Sequence, residues 1–153
     1  MKRCYKCKNE TIEETTVEET RHLAGRTFTA SVSALRCSAC GEVYFPGPAL
    51  EDFDVAIAGE LARHGVVSAE AFSFMRRAIG LMARDLAELL DVAPETVSRW
   101  EHGKLPLERG PFALLAAIVL DRLEGQTTTL DRLKALLKPE PLPKLVRLVP
   151  RSI

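Results

Sequence analysis

Four cysteines arranged as two pairs constrain the first third of this 153-residue chain more than any other feature. Cys4 and Cys7 form one pair and Cys37 and Cys40 the other, with two residues between the members of each. That gap lets both sulfurs reach one ion, and four thiolates without another ligand type are typical of a tetrahedral structural zinc site. We therefore predict one zinc ion per chain, held by these four residues in a domain spanning 1–47.

Composition narrows the class of protein. The chain carries 21 basic and 21 acidic residues, and it holds no run of about 18 apolar residues that could span a membrane. Its start, Met1-Lys2-Arg3, lacks the apolar stretch of a signal peptide, so we expect a cytoplasmic protein. In a reducing compartment paired CxxC motifs indicate metal binding sooner than disulfides, with disulfides, unpaired thiols and a redox-active dithiol as the open alternatives.

The segment between the cysteine pairs has the pattern of a β-hairpin. Residues 28–34 alternate apolar and hydroxyl-bearing side chains, and the chain breaks this pattern around Gly25. We predict two strands with a turn near Gly25, joining the two halves of the zinc site. Because a unit of this length buries little apolar surface, metal binding has to supply much of its folding free energy.

The rest of the chain is predicted to be helical. Apolar residues at helical spacing and several acidic side chains predict a connecting helix in residues 48–66. Five short helices should follow, the first capped by Ser68 and the third beginning at Pro94. They would form a domain of residues 67–125 and a C-terminal helix with a basic tail in 126–153. The expected fold class is α+β, with a small zinc-bound β-hairpin domain before an all-α domain.

Residues 83–102 have the layout of a helix-turn-helix that reads DNA. Ala87 is small where two helices must cross closely. Asp91 lies in the turn, where a left-handed backbone tolerates Asp, and Val97 should face the core. In such a pair the second helix lies in the major groove with its N-terminal residues at the base edges.

Six side chains of this segment are candidates for DNA contact. Arg99 suits bidentate hydrogen bonds to guanine, and Glu95, four residues earlier on the same face, could accept from a cytosine amine. Ser98 lies beside them. Contacts to phosphates, which position a protein without specifying sequence, are expected from Thr96, Arg84 and Lys104.

Two stretches carry a resemblance to a known family. Residues 86–90 and 96–104, Leu-Ala-Glu-Leu-Leu and Thr-Val-Ser-Arg-Trp-Glu-His-Gly-Lys, resemble an Xre/Cro-type helix-turn-helix. Joined to an N-terminal two-CxxC finger of this spacing, the chain resembles MqsA-type antitoxins and their YgiT-type zinc-finger relatives over residues 1–124. The last thirty residues fall outside the resemblance.

The resemblance implies an antitoxin that is also an autorepressor. In that family the finger domain binds a small ribonuclease toxin, and the helix-turn-helix domain dimerises on a palindromic operator. It further implies that Arg99 reads a base, that Glu95 replaces a base-reading Asn, and that Glu101 pairs with Arg76. Met82 and Ala93 depart from the family, because relatives carry helix-capping residues there, and each lost cap costs about 1 kcal/mol.

Two apolar segments remain to be assigned. Residues 112–120 are apolar nearly all round, which predicts either a homodimer interface or a fully buried core helix. We favour the interface, formed by Phe112, Leu115, Ile118 and Val119. The strand-like residues 145–149 could be an added strand, a partner contact or a frayed end.

The chain shows no catalytic signature. Its three histidines share no spacing with each other or with an acid, and no Ser/His/Asp set or phosphate-binding glycine loop occurs. The leading hypothesis is a homodimeric, zinc-containing transcriptional repressor of the antitoxin kind, which binds operator DNA and a ribonuclease toxin. The alternatives are a stand-alone zinc-finger regulator without a toxin and, from another class, a thiol redox enzyme.

Overall fold

A computed structural model describes residues 2–151 and places an antiparallel hairpin before six helices in that range. The outermost residues of the predicted end domains, Met1, Ser152 and Ile153, lie outside it. The elements are β1 (Ile12–Leu23), β2 (Arg26–Cys37), β3 (Val43–Tyr44), α1 (Ala49–Arg63), α2 (Ala69–Ala78), α3 (Ala83–Leu89), α4 (Pro94–Glu101), α5 (Arg109–Leu123) and α6 (Thr128–Leu137). This order confirms the predicted α+β class.

The hairpin is long and its register is continuous. β1 and β2 each have 12 residues, and they pair from Ile12 opposite Cys37 to Leu23 opposite Arg26. The turn is made by Ala24 and Gly25, both at positive φ (50° and 71°), as in the type I′ turns that match strand twist. The turn predicted near Gly25 is therefore confirmed.

A third strand completes the sheet. β3 pairs antiparallel with β2, so the order is β1-β2-β3 and β1 lies at one edge. The sequence pattern did not predict β3, because a strand of two residues shows no alternation.

The helix predicted to connect two domains is instead part of the core. Phe53, Ile57 and Leu61 recur every four residues along α1 and are all buried. They belong to one hydrophobic cluster that also includes Leu23 and Val32 of the hairpin and residues of α2 to α5. The hairpin therefore lies against α1 and shares its core with the helices.

Helix α5 is a core helix, so the predicted dimer interface is wrong. The four residues assigned to it are no more than 5% exposed within a single chain. Helices α1, α2 and α6 contact α5 and cover its buried face, while Leu114 and Leu123 on the same helix remain exposed at 38% and 41%. The residues that belong to the core and not to the predicted interface are Phe112, Leu115, Ile118 and Val119.

The segment after α6 has no regular structure. Residues 138–151 form neither helix nor strand, and the strand-like stretch 145–149 is exposed, with Leu145 at 89% and Val149 at 90% of full exposure.

Among the described residues, none of the helices has the length and hydropathy that crossing a membrane requires.

Candidate metal centre and adjoining helix pair

The four cysteine sulfurs converge on one point at the end of the hairpin remote from its turn. All four Sγ atoms lie within 4.8 Å of one another, with Cys4 and Cys40 3.6 Å apart and Cys7 and Cys37 3.5 Å apart. A disulfide would bring two sulfurs to about 2.05 Å. Thiolates around a tetrahedral zinc, with Zn–S bonds of about 2.3 Å, are roughly 3.8 Å apart. The cysteines are free thiols, and their arrangement fits a metal ion.

The two cysteine pairs are held by the same backbone turn, made twice. The Lys8 amide donates to the Cys4 carbonyl at 2.9 Å, and the Gly41 amide donates to the Cys37 carbonyl at 2.8 Å. Lys8 and Gly41 both have positive φ, 65° and 76°. The sequence shows only half of this repeat, because glycine is the usual residue at positive φ and Lys8 adopts that conformation without being glycine.

Two hydroxyl groups support the cysteines and were missed in the sequence. The Tyr44 hydroxyl lies 3.1 Å from the Cys4 Sγ, and the Thr11 hydroxyl lies 3.1 Å from the Cys37 Sγ. Together with the Cys7 amide, which has the largest effect, Tyr44 lowers the pKa of Cys4 to about 6. Thr11 lowers the pKa of Cys37. Both hydroxyls therefore favour the thiolate form that binds metal.

The pKa of Cys40 shows which repulsion a bound cation would offset in this cluster. The Glu42 amide lowers the pKa of Cys40, but burial and the three neighbouring thiols outweigh it and raise that pKa to about 12. Without a cation, four sulfurs this close cannot all carry negative charge, because each thiolate repels the next. A divalent metal ion removes this repulsion, so the donor set fits such an ion.

The second feature is the pair of helices α3 and α4, joined by a tight turn. Asp91 in this turn has a positive φ of 54°, as the sequence predicts. Ala87 and Val97 are buried, as expected for the positions where the helices cross and where α4 faces the core. Trp100 is also buried, in an edge-to-face contact with Phe72 of α2. These contacts fix the inner face of α4.

The outer face of α4 carries the predicted base-contacting residues. Glu95, Ser98 and Arg99 are exposed together on α4. No carboxylate within the described range lies within 4.0 Å of the Arg99 guanidinium. The other three candidates lie around this face. Arg84 is exposed in the first turn of α3, Thr96 is half-buried on α4, and Lys104 is exposed just beyond the end of α4.

Both helices of the pair begin without a side-chain cap. Met82 and Ala93 occupy the N-cap positions of α3 and α4, with extended backbones, and neither makes a capping hydrogen bond. By contrast, the Ser68 hydroxyl accepts from the Ala71 amide at 3.1 Å, so the predicted cap of α2 is confirmed.

An ion pair anchors the helix pair to the rest of the protein. The Arg76 Nη2 donates to a Glu101 carboxylate oxygen at 3.0 Å, and its Nε donates to the other oxygen. The remaining Nη1 donates to the Leu81 carbonyl at 2.8 Å, in the loop before α3. The two side chains are only 13% and 8% exposed. One guanidinium therefore ties the end of α2, the loop after it and the end of α4 together.

The chain was compared with family models, curated proteins and solved structures, and it matches none of them.

Proposed function

We propose that this protein is a zinc-containing, sequence-specific DNA-binding regulator that represses transcription. The observation that carries the proposal is the contrast between the two faces of α4. Its inner face is fixed by Val97 and Trp100, while Glu95, Ser98 and Arg99 are exposed on its outer face. A short, rigidly held helix with free polar and cationic side chains on one face suits the major groove.

The exposed charged side chains on and beside α4 each have a role in this proposal. Arg99 donates two hydrogen bonds to one guanine, and Glu95 accepts from a cytosine amine. The cations Arg84 and Lys104 lie outside α4 and contact phosphates. The buried pair of Arg76 and Glu101 contacts no base but holds α4 at the angle that the groove requires.

The metal in this proposal is zinc, in a structural role. Four thiolates match the ligand set of closed structural zinc sites and leave no position for a substrate or an activated water. Catalysis is therefore not part of the proposal. Zinc would offset two of the four thiolate charges and close the ends of β1 and β2, which pair at Ile12 and Cys37.

The resemblance in sequence extends the proposal to an antitoxin. In that form the protein acts as a homodimer on a palindromic operator, and its hairpin domain binds a ribonuclease toxin. The alternative is a regulator without a toxin. Co-expression with the product of the adjacent gene separates the two, since a stable complex with a ribonuclease supports the antitoxin, and separate elution supports the stand-alone regulator.

Selection from a pool of randomised duplexes tests the DNA-binding proposal. The zinc-loaded full chain should enrich a defined sequence, and its affinity for that sequence should fall steeply with salt. Arg99→Ala should lose discrimination at one base pair per half-site, which is worth about 1–3 kcal/mol. Arg63→Ala, which removes an exposed cation of α1, is the matched control and should keep the preference. Unchanged base preference in Arg99→Ala would reject its assigned role.

A further inference from the structure

The last residues that the structure describes form an exposed arm, defined here as residues 139–151. Prolines at positions 139, 141 and 143 begin it, and Pro150 lies near its end. Alternating prolines favour an extended, stiff chain that advances about 3.1 Å per residue. Between them lies Lys-Leu-Val-Arg-Leu-Val at 144–149, a segment of β-prone apolar residues and two cations.

The arm exposes more apolar surface than an isolated tail needs. Leu142 and Leu148 are exposed at 80% and 76%, comparable with Leu145 and Val149. No backbone hydrogen bond joins residues 139–151 to other described residues. A contiguous exposed apolar segment typically marks a contact with another molecule.

The outer edge of β1 offers a complementary surface. β1 is an edge strand of 12 residues, and such an edge leaves every second N–H and C=O free to pair with an added strand. Glu13, Glu14 and Glu18 are exposed along it, and no cation of the described residues lies within 4.0 Å of their carboxylates. Glu19, in contrast, is paired with Arg21 at 3.0 Å.

Charge and length match between the two segments. The arm carries Lys144, Arg147 and Arg151 and has no acidic residue after Glu140. Because side chains alternate along a strand, Lys144 and Arg147 would lie on opposite faces of an added strand. The β1 carboxylates that have no cation beside them also lie on both faces, Glu13 on one and Glu14 and Glu18 on the other. Glu18 accepts a hydrogen bond from the Ser31 hydroxyl. The six residues of 144–149 span about 20 Å, which is half the length of β1.

We propose that the arm of one copy of this protein adds as a strand to the β1 edge of a second copy, and that the exchange is reciprocal and forms a homodimer. Residues 144–149 make no backbone hydrogen bond to the described part of their own chain, and the stiff proline segment before them limits how far they can fold back. Both features favour a second copy over the same chain. Reciprocal exchange is a closed, two-fold arrangement in which both edges become covered. This dimer needs no DNA and is independent of the proposed function.

Double-stranded DNA is the competing partner for a basic arm. Phosphates would match its cations, but they offer nothing to the five exposed leucines and valines. A β-edge uses the main chain, the cations and the apolar side chains together. The segment therefore fits a strand edge better than a nucleic-acid backbone.

Sedimentation of the zinc-loaded full chain, without DNA, tests the proposal. The wild-type protein should be a dimer. Reversing the arm with Lys144→Glu and Arg147→Glu should weaken dimerisation at least about tenfold, because opposite charges across strands become like charges. Reversing the edge with Glu13→Lys and Glu18→Lys should have the same effect.

Mixing the two reversed proteins gives the sharpest outcome. The acidic arm of one then meets the basic edge of the other, and at the second site the unchanged basic arm meets the unchanged acidic edge. A heterodimer should therefore form where neither protein dimerises alone. The matched control, Arg132→Glu with Lys134→Glu on α6, makes the same charge change outside the arm and should leave the dimer intact.

Three results would overturn the proposal. They are a monomeric wild-type protein, a dimer that is weakened equally by the control, and reversed proteins that fail to associate with each other. If arm reversal lowers DNA affinity without changing the oligomeric state, the arm contacts DNA instead. Truncation after Lys138 gives a second readout, since amide exchange in β1 should rise when the edge is uncovered.

Discussion

The metal end of the hairpin and the helical core are stabilised by different means. In β1, no side chain before Leu23 is buried, so the far end depends on backbone pairing and on the convergence of four thiols. In the helices, Phe72, Met75, Leu86 and Leu115 are fully buried, and each contributes about 1.5–3 kcal/mol. The stability of the hairpin end therefore depends on its cysteine ligands, whereas the stability of the helices depends on buried side chains.

The largest expected effect comes from removing a metal ligand. Cys37→Ser should abolish metal binding and unfold the end of the hairpin, because structural zinc contributes about 10 kcal/mol or more to small zinc domains. Circular dichroism should show that the helices persist, since their core is made mostly of helix side chains. Ser38→Ala, its exposed neighbour, is the control and should bind metal normally. Complete loss of helix in Cys37→Ser would contradict the claim that the helices are stable without the metal site.

The second-largest expected effect is a loss of stability in the helical core. Arg76→Ala leaves the Glu101 carboxylate largely buried without its partner, which should lower the free energy of unfolding by about 3–5 kcal/mol. Urea unfolding measures it. Arg77→Ala, an exposed neighbour, should change stability by no more than about 0.5 kcal/mol. A loss in Arg76→Ala as small as that control would show that the ion pair does not anchor α4.

A smaller effect is expected at the metal end. Tyr44→Phe removes the hydroxyl that donates to Cys4, so zinc should bind about tenfold more weakly, as for other groups that support metal ligands. Competition with a coloured chelator measures the affinity. Tyr5→Phe is the control, because Tyr5 is exposed and contacts the Tyr44 ring only edge-on. Equal affinities for the two variants would exclude a role for the Tyr44 hydroxyl.

The smallest effect lies where α5 meets α6. The Thr129 amide donates to the Asp121 carboxylate at 2.8 Å and holds the pKa of Asp121 below its usual range. The stabilisation is present above the unfolded pKa, about 3.9, and is lost as pH falls through the folded value.

Asp121→Ala should therefore cost about 1 kcal/mol at pH 7, as for a lost helix cap. The difference from wild type should shrink as the pH falls below about 4. Thermal unfolding of both proteins across pH measures this difference, and metal loss in acid affects both alike. A difference that does not change with pH would show that the Asp121 charge is not responsible.

Local signals in the sequence account for what could be predicted. The spacing of the cysteines, the positive-φ turn at Gly25 and the first-turn proline of α4, Pro94, each act over a few residues. Their structural consequences are the ones that the structure confirms.

The errors share a different cause, which is the identity of the packing partner. Periodicity shows that α5 is apolar all round, but not whether a second copy or the chain's own helices cover it. For the same reason, periodicity alone predicts a connecting helix in α1 and does not show that this helix packs into the core. Thr11 and Tyr44 reach the cysteines only through the pairing of β2 with its neighbours, and no spacing rule encodes that approach.

Amide hydrogen exchange, followed with and without a zinc chelator, tests the central claim most directly. Removing zinc from the full chain should abolish protection around Cys4, Cys7, Cys37 and Cys40 and in the adjoining halves of β1 and β2. Protection in α2 to α5 should persist, because those helices are held by their own packing. Loss of protection throughout the chain, or no change near the cysteines, would contradict the separation of a metal-dependent end from a packed helical core.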